Sequence, residues 1–262
     1  VGIYDQGTNA LFQLITFSAP TTQNQLAFGD DCYTPNLCAQ EFKYISGVIN
    51  IPDNVDGYYF QAESWYRSDV IDNINTGGNP GMTFYAEIAD PAIPNSTPVF
   101  GAYPMDSYFC VNNSKTFNLN VSDPDGDQLI YSLVDPLLDV GNSNLSNPKP
   151  YSPITWNTGG GYSLANIVGG ATPMSVDPNT GVITAEAGAV GVFVFALLVE
   201  EYRGGNKIGE TRRDIQFTAL NCEYDSAPEF LGFEDTEVHG YLGSEICFDV
   251  IIQDPDVGDK VF

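Results

Sequence analysis

Apolar positions along the chain recur mostly at every second residue, in short runs broken by clusters of Gly, Pro, Asn and Asp. That spacing belongs to strands with one covered face; helical three-and-four spacing is rare. Runs at residues 10–17, 43–51, 57–67 and 82–88 predict four strands, and a proline-bearing connector follows from Asp90 to Pro98. Residues 117–121 and 129–133 predict two more. Asp177-Pro178-Asn179-Thr180-Gly181 stands inside an alternating run at 174–184 and predicts a hairpin, with Gly181 in the left-handed conformation. Residues 190–199 are apolar almost throughout, as in a buried strand, and too few to cross a membrane as a helix, which takes about 20. Gly204-Gly205-Asn206 turns the chain back into a last strand at 213–220.

One stretch interrupts this alternation with charge. Ser122-Asp123-Pro124-Asp125-Gly126-Asp127 sets three carboxylates two residues apart on a tight bend. Two carboxylates about 5 Å apart repel by roughly 3 kcal/mol at an effective dielectric of ~20. A hard divalent cation with oxygen ligands removes that repulsion, and calcium tolerates irregular ligand sets best. Glycine stands fourth instead of sixth and no glutamate closes a twelfth position, so this is not an EF-hand loop. The bland alternative is a solvated Asp-Pro-Asp-Gly turn.

The bend recurs as Asp254-Pro255-Asp256-Val257-Gly258-Asp259, again after an apolar run at 247–252. Upstream, Pro98-Val99-Phe100 matches Pro228-Glu229-Phe230. The offsets are 130 residues for the prolines and 131 for the first aspartates, which indicates tandem repeats of about that length. The expected organisation is all-β: a β-sandwich over residues 1–96, a second over 97–222, and the start of an incomplete third over 223–262. The chain reads as a fragment of a longer polypeptide.

Composition sharpens the picture. The 262 residues are 43% hydrophobic and 13% aromatic, with 26 Gly and 17 Pro, which excludes a disordered acidic tail. Thirty-four acidic against nine basic residues give a formal charge of −25. Such a surface repels nucleic acid and anionic membranes and attracts divalent cations. Five cysteines lack a Cys-x-x-Cys pair, and the only histidine is His239. Zinc is therefore not indicated, and a Ser-His-acid hydrolase would depend on that one residue. Gly159-Gly160-Gly161 has no following lysine and reads as a bend. Cys32 and Cys38 bracket a short loop that a disulfide could close; Cys110 and Cys222 bracket the second unit, and a bond between them would tie its ends together; Cys247 is left over. An oxidising, extracytoplasmic setting is expected, against the alternative of free cysteines in a reducing one.

The order of these features resembles a known family. Acidic bend, Tyr131-Ser132-Leu133 strand, Ser175-Val176-Asp177-Pro178-Asn179-Thr180-Gly181 hairpin and Gly191-Val192-Phe193 strand with an acidic end are similar to cadherin-like and dystroglycan-type immunoglobulin-like repeats. Gly57-Tyr58-Tyr59, residues 95–100, Glu201-Tyr202-Arg203, Gly209-Glu210, Arg212-Arg213-Asp214 and Gln216 resemble large Bacteroidetes surface proteins of the gliding-motility-associated, adhesin-like kind. The resemblance covers about residues 39–222, and Ser64-Trp65 stands where the family often carries a cysteine pair. It implies tandem immunoglobulin-like sandwiches in a type IX-secreted, cell-surface adhesin or filament with a role in adhesion or gliding, not an enzyme. Its partners would be further domains of the same chain, the secretion and anchoring machinery, and surface polysaccharide, with no nucleic acid and no membrane insertion.

The resemblance further implies calcium at Asp123 and Asp125, with Asp127 as a third ligand and Glu200 or Glu201 as the strand-end acid. Asp254, Asp256 and Asp259 would repeat the site at the next junction. Asp225-Ser226-Ala227 resembles an O-glycosylation signal of the same phylum, placing a sugar on Ser226. The rival is a carbohydrate-binding module, or a plain spacer of a secreted protein. In the module, Trp65 and Trp156 would form a stacking platform, although tryptophans of sandwiches more often fill cores.

Overall fold

The computed structural model describes residues 1–27, 38–77, 80–104, 108–139, 147–222, 229–233, 243 and 250–253. These are nearly all strand: β1 (Gly2–Asp5), β2 (Leu11–Leu14), β3 (Thr22–Ala27), β4 (Cys38–Lys43), β5 (Tyr58–Ser64), β6 (Met82–Ile88), β7 (Tyr108–Cys110) and β8 (Ser114–Asn118). They continue with β9 (Gln128–Val134), β10 (Ser175–Val176), β11 (Val182–Glu186), β12 (Gly191–Arg203), β13 (Asn206–Leu220), β14 (Glu229–Phe233) and β15 (Val250–Gln253). A single 3-10 turn, Thr158–Gly160, is the one helical element among the described residues. The expected all-β class holds.

The chain forms two compact units, Val1–Asn221 and Cys222–Phe262. In the first, one sheet runs in the order β2-β1-β5-β6-β13-β12-β9, antiparallel throughout, with β7 added parallel to β13. A three-stranded sheet, β10-β11-β8, faces its C-terminal half. The boundary expected between residues 96 and 97 falls inside this unit. The cause is the fifteen-residue β13, whose first half pairs with β6 (Gly209 opposite Ile88, Arg212 opposite Tyr85). Left alone, β6 would present unpaired N–H and C=O groups as an open edge.

The core explains the patterning. Phe193, Phe195, Leu197 and Val199 of β12 meet Ile183 and Ala185 of β11 and Phe217 of β13 between the two sheets. Val194, pointing the other way, is covered by Ile71, Ile74 and Ile154. Both faces of β12 are therefore buried, and its continuous apolar run follows. Across the 177–181 hairpin, the Asp177 carboxylate accepts from the N–H groups of Asn179 and Thr180, and Gly181 has φ +67°. Gly204 and Gly205, at φ +59° and +83°, make the tight turn between β12 and β13.

Several expected strands are displaced. β4 ends at Lys43, and residues 44–51 are not strand. β8 ends at Asn118, because Asn120 turns to φ +48° just before the acidic bend. Trp156 is half-buried between the two apolar clusters, as expected for a core tryptophan, but Trp65 is exposed. Beyond the end of β5, Arg67 instead of Trp65 takes the buried position and forms a bidentate pair with Asp214 at 2.7 and 2.5 Å.

The internal repeat has a structural counterpart. In the first unit Val99 and Ser122 exchange backbone hydrogen bonds of 2.8 and 2.9 Å, just before the acidic bend. In the second, β14 pairs with β15, and Glu229 stands opposite Gln253 just before the second bend. These are the positions that the two offsets relate. The step from 130 to 131 coincides with the irregularity between Phe230 and Gly232, where Leu231 is the additional residue. Cys110 and Cys222 are disulfide-bonded, as their spacing suggested.

Candidate metal centre

The acidic bend is shaped by its own first carboxylate. Asp123 Oδ1 accepts from the N–H groups of Asp125 and Asp127, both at 2.9 Å, and Gly126 closes the turn at φ +80°. Glycine takes that conformation without the steric cost a Cβ brings. The bend delivers the chain into β9, which lies beside the end of β12 (Glu201 opposite Leu129, Glu200 opposite Ile130).

One oxygen each from Asp123, Asp127 and Glu201 lies within 4.8 Å of the other two. Glu201 has no exposed surface, although strand ends are usually wet. Opposite it, β13 carries Gly209, and a Cβ there would stand 2.6 Å from Glu201 Oε2. Glycine thus leaves the room that the carboxylate occupies. The pairing also slips between Glu201 and Tyr202, which sets the phase of the strand end.

The polar connections are unequal. Glu201 Oε1 accepts from Asn95 Nδ2 at 2.9 Å, whereas Glu201 Oε2 and Asp123 Oδ2, when both carboxylates are ionised, are buried without a hydrogen-bond partner. Arg203 donates to Asp127 through Nε at 2.7 Å and through the terminal nitrogen at 2.5 Å. It also donates to the Pro94 carbonyl at 2.8 Å and to Asn95 Oδ1 at 2.9 Å. Asp125 accepts from the Ser96 N–H at 2.5 Å and lies 3.9 Å from Arg203. Asp123, Asp125 and Asp127 thus share one guanidinium, and connector residues 94–96 are stitched to the site.

Titration follows from this geometry. Burial, then a hydrogen bond from the protonated carboxyl to Asp123 and the Asp123 and Asp127 charges, push Glu201 up to about 7, against the opposing Asn95 hydrogen bond. The Arg203 pairing holds Asp127 below the usual aspartate range. Buried carboxyl oxygens without partners are costly, at about 1–3 kcal/mol each or more when charged. An all-oxygen, multiply anionic donor set suits a hard cation and not zinc or copper.

Of the residues singled out in the sequence, Asp123, Asp127 and Glu201 come together. Asp125 is bound to Ser96 outside the three-carboxylate cluster. Glu200 points to the opposite face of β12, as alternation demands, and its carboxylate lies 3.1 Å from Lys207. Asn95, Arg203 and Gly209 complete the site without having been counted as site residues. Cys32, Ser226, His239, Cys247, Asp254, Asp256, Asp259 and the Cys38 side chain lie outside the described residues. No helix among the described residues is long and apolar enough to cross a membrane. No protein-family model, curated protein or solved structure matches the chain.

Proposed function

We propose that this chain is a non-catalytic segment of a large secreted cell-surface adhesin or filament, built of immunoglobulin-like repeats and rigidified by calcium at its acidic bends. The observation that supports the reading is the pair of buried, unpartnered oxygens, Asp123 Oδ2 and Glu201 Oε2, within a three-carboxylate cluster. Calcium satisfies both oxygens and cancels the repulsion that Arg203 alone leaves over. Asn95 is bonded to Glu201 of the cluster and Ser96 to Asp125 of the same bend, so the cation holds the proline-bearing connector onto the sheet. It acts within the first compact unit, where the sequence had suggested a joint between two domains. On this reading Asp254, Asp256 and Asp259 do the same in the second unit, and the partners are further repeats of the same polypeptide and its surface-anchoring machinery.

Hydrogen exchange with calcium and with chelator tests the role. Calcium is expected to slow exchange at the Ser96 and Val99 amides. Unchanged exchange at both, with calcium demonstrably bound, would leave the ion without a stiffening role. Antibody labelling of intact producing cells tests the surface assignment; signal appearing only after lysis would refute it.

A further inference from the structure

An open groove of about 500 Å³ lies away from the acidic bend, between residues 71–76 and 155–159. Its walls are fixed from behind. Asn73 has no exposed surface; its side chain donates to the carbonyls of Val194 (2.8 Å) and Ile167 (3.1 Å) and accepts from the Val194 N–H (3.0 Å). This imitates strand pairing and clamps one wall to β12. The Asn157 side chain donates to the Asp72 carbonyl at 3.0 Å, and the Asn75 N–H donates to the Thr155 carbonyl at 2.8 Å, joining the two walls. Trp156 is held by its indole N–H, which donates to Asp135 at 2.8 Å.

The lining is polar with spare capacity. Among the described residues, the hydroxyls of Thr76, Thr155 and Thr158 and the Asn75 amide nitrogen make no hydrogen bond, and Asp72 uses one carboxylate oxygen, on the Val192 N–H. A preformed cleft with a few convergent donors and acceptors around an aromatic residue is the usual form of a small-ligand site. Its chemistry selects the ligand class. No lining residue is cationic, and the chain carries a formal charge of −25, so polyanions are repelled. Wall backbone groups at Asp72, Asn73 and Asn75 are already paired, which leaves little for an added peptide strand. Hydroxyls, an amide, one carboxylate and an indole match a neutral sugar, whose hydroxyls both donate and accept and whose ring face is apolar.

We propose that the groove between residues 71–76 and 155–159 binds neutral saccharide, giving this segment a glycan-binding site of its own. The site shares no residue with the acidic bend, so it stands or falls independently of calcium. The test is titration of the whole chain with neutral tetrasaccharides of glucose, mannose, galactose and xylose, in calcium and in chelator, followed by calorimetry and tryptophan fluorescence. At least one sugar is expected to bind in both buffers and to change the fluorescence in Trp65→Phe but not in Trp156→Phe. Asn75→Ala/Thr158→Ala, both exposed positions, is expected to weaken binding at least tenfold with an unchanged melting temperature. Absence of binding to every sugar at 10 mM, binding that the double variant leaves intact, or selective binding of polyuronate or peptide would each overturn the proposal.

Discussion

Glu201→Gln should make the calcium-free protein more stable, although it removes a residue proposed to bind the ion. The folded state holds the Glu201 proton up to pH about 7, whereas an unfolded glutamate releases it near 4.5. A raised carboxyl pKa means that the folded chain binds more protons in this window. Its contribution is therefore fully present below pH 4.5 and lost as pH rises through 7. The difference of about 2.5 units corresponds to about 3 kcal/mol at pH 8. Glutamine occupies the same volume, carries no charge and offers N–H donors to Asp123. In a unit of this size 1 kcal/mol moves the melting temperature by about 2–4 °C, so the variant should melt about 6–12 °C higher at pH 8 in chelator. At pH 5 the difference should fall to about a quarter of that. With 5 mM calcium the wild type should gain about 1–2 kcal/mol, for an extracellular-type Kd of about 10⁻⁴–10⁻³ M, and the variant almost none. Paired thermal melts decide it. A variant less stable than wild type at pH 8 in chelator, or equally shifted at both pH values, would refute the reasoning.

Further outcomes follow from the same contacts. Gly209→Ala places a methyl against the Glu201 carboxylate and should weaken calcium binding at least tenfold by calorimetry, with about 1–3 kcal/mol lost in urea unfolding. Arg67→Ala leaves Asp214 charged and buried, and should cost about 3–5 kcal/mol by the same assay. Reducing the Cys110–Cys222 disulfide opens a loop of roughly 110 residues and should cost up to about 5 kcal/mol in the chain-entropy model, seen as a lower melting temperature.

What was legible in the sequence was local. The 177–181 hairpin and the 123–127 bend depend on side chains bonding to backbone two to four residues away, so spacing alone announces them. The β12 run was legible because covering both faces leaves no polar positions. β3, reading Thr-Gln-Asn-Gln-Leu-Ala, is exposed and made a strand by pairing with β4, so no apolar alternation marks it. Residues 44–51 show the converse, since alternation there has no partner strand among the described residues and Val48 is left 97% exposed. The boundary expected at 96 falls within one compact unit because pairing of β6 with β13 joins residues more than a hundred positions apart. The same distance hid half of the site. Arg203, Asn95 and Gly209 acquire their roles only by juxtaposition, and the choice of Glu201 over Glu200 depends on strand phase at a slipped pair.

Calcium titration by calorimetry at pH 7.5, on the wild-type chain and on Asp123→Ala and Glu201→Gln, tests the central claim most directly. The account predicts binding near 10⁻⁴–10⁻³ M, with one equivalent of calcium lost in each variant. No heat up to 10 mM calcium, or the same stoichiometry in all three proteins, would contradict it and leave the bend as an acidic turn balanced by Arg203.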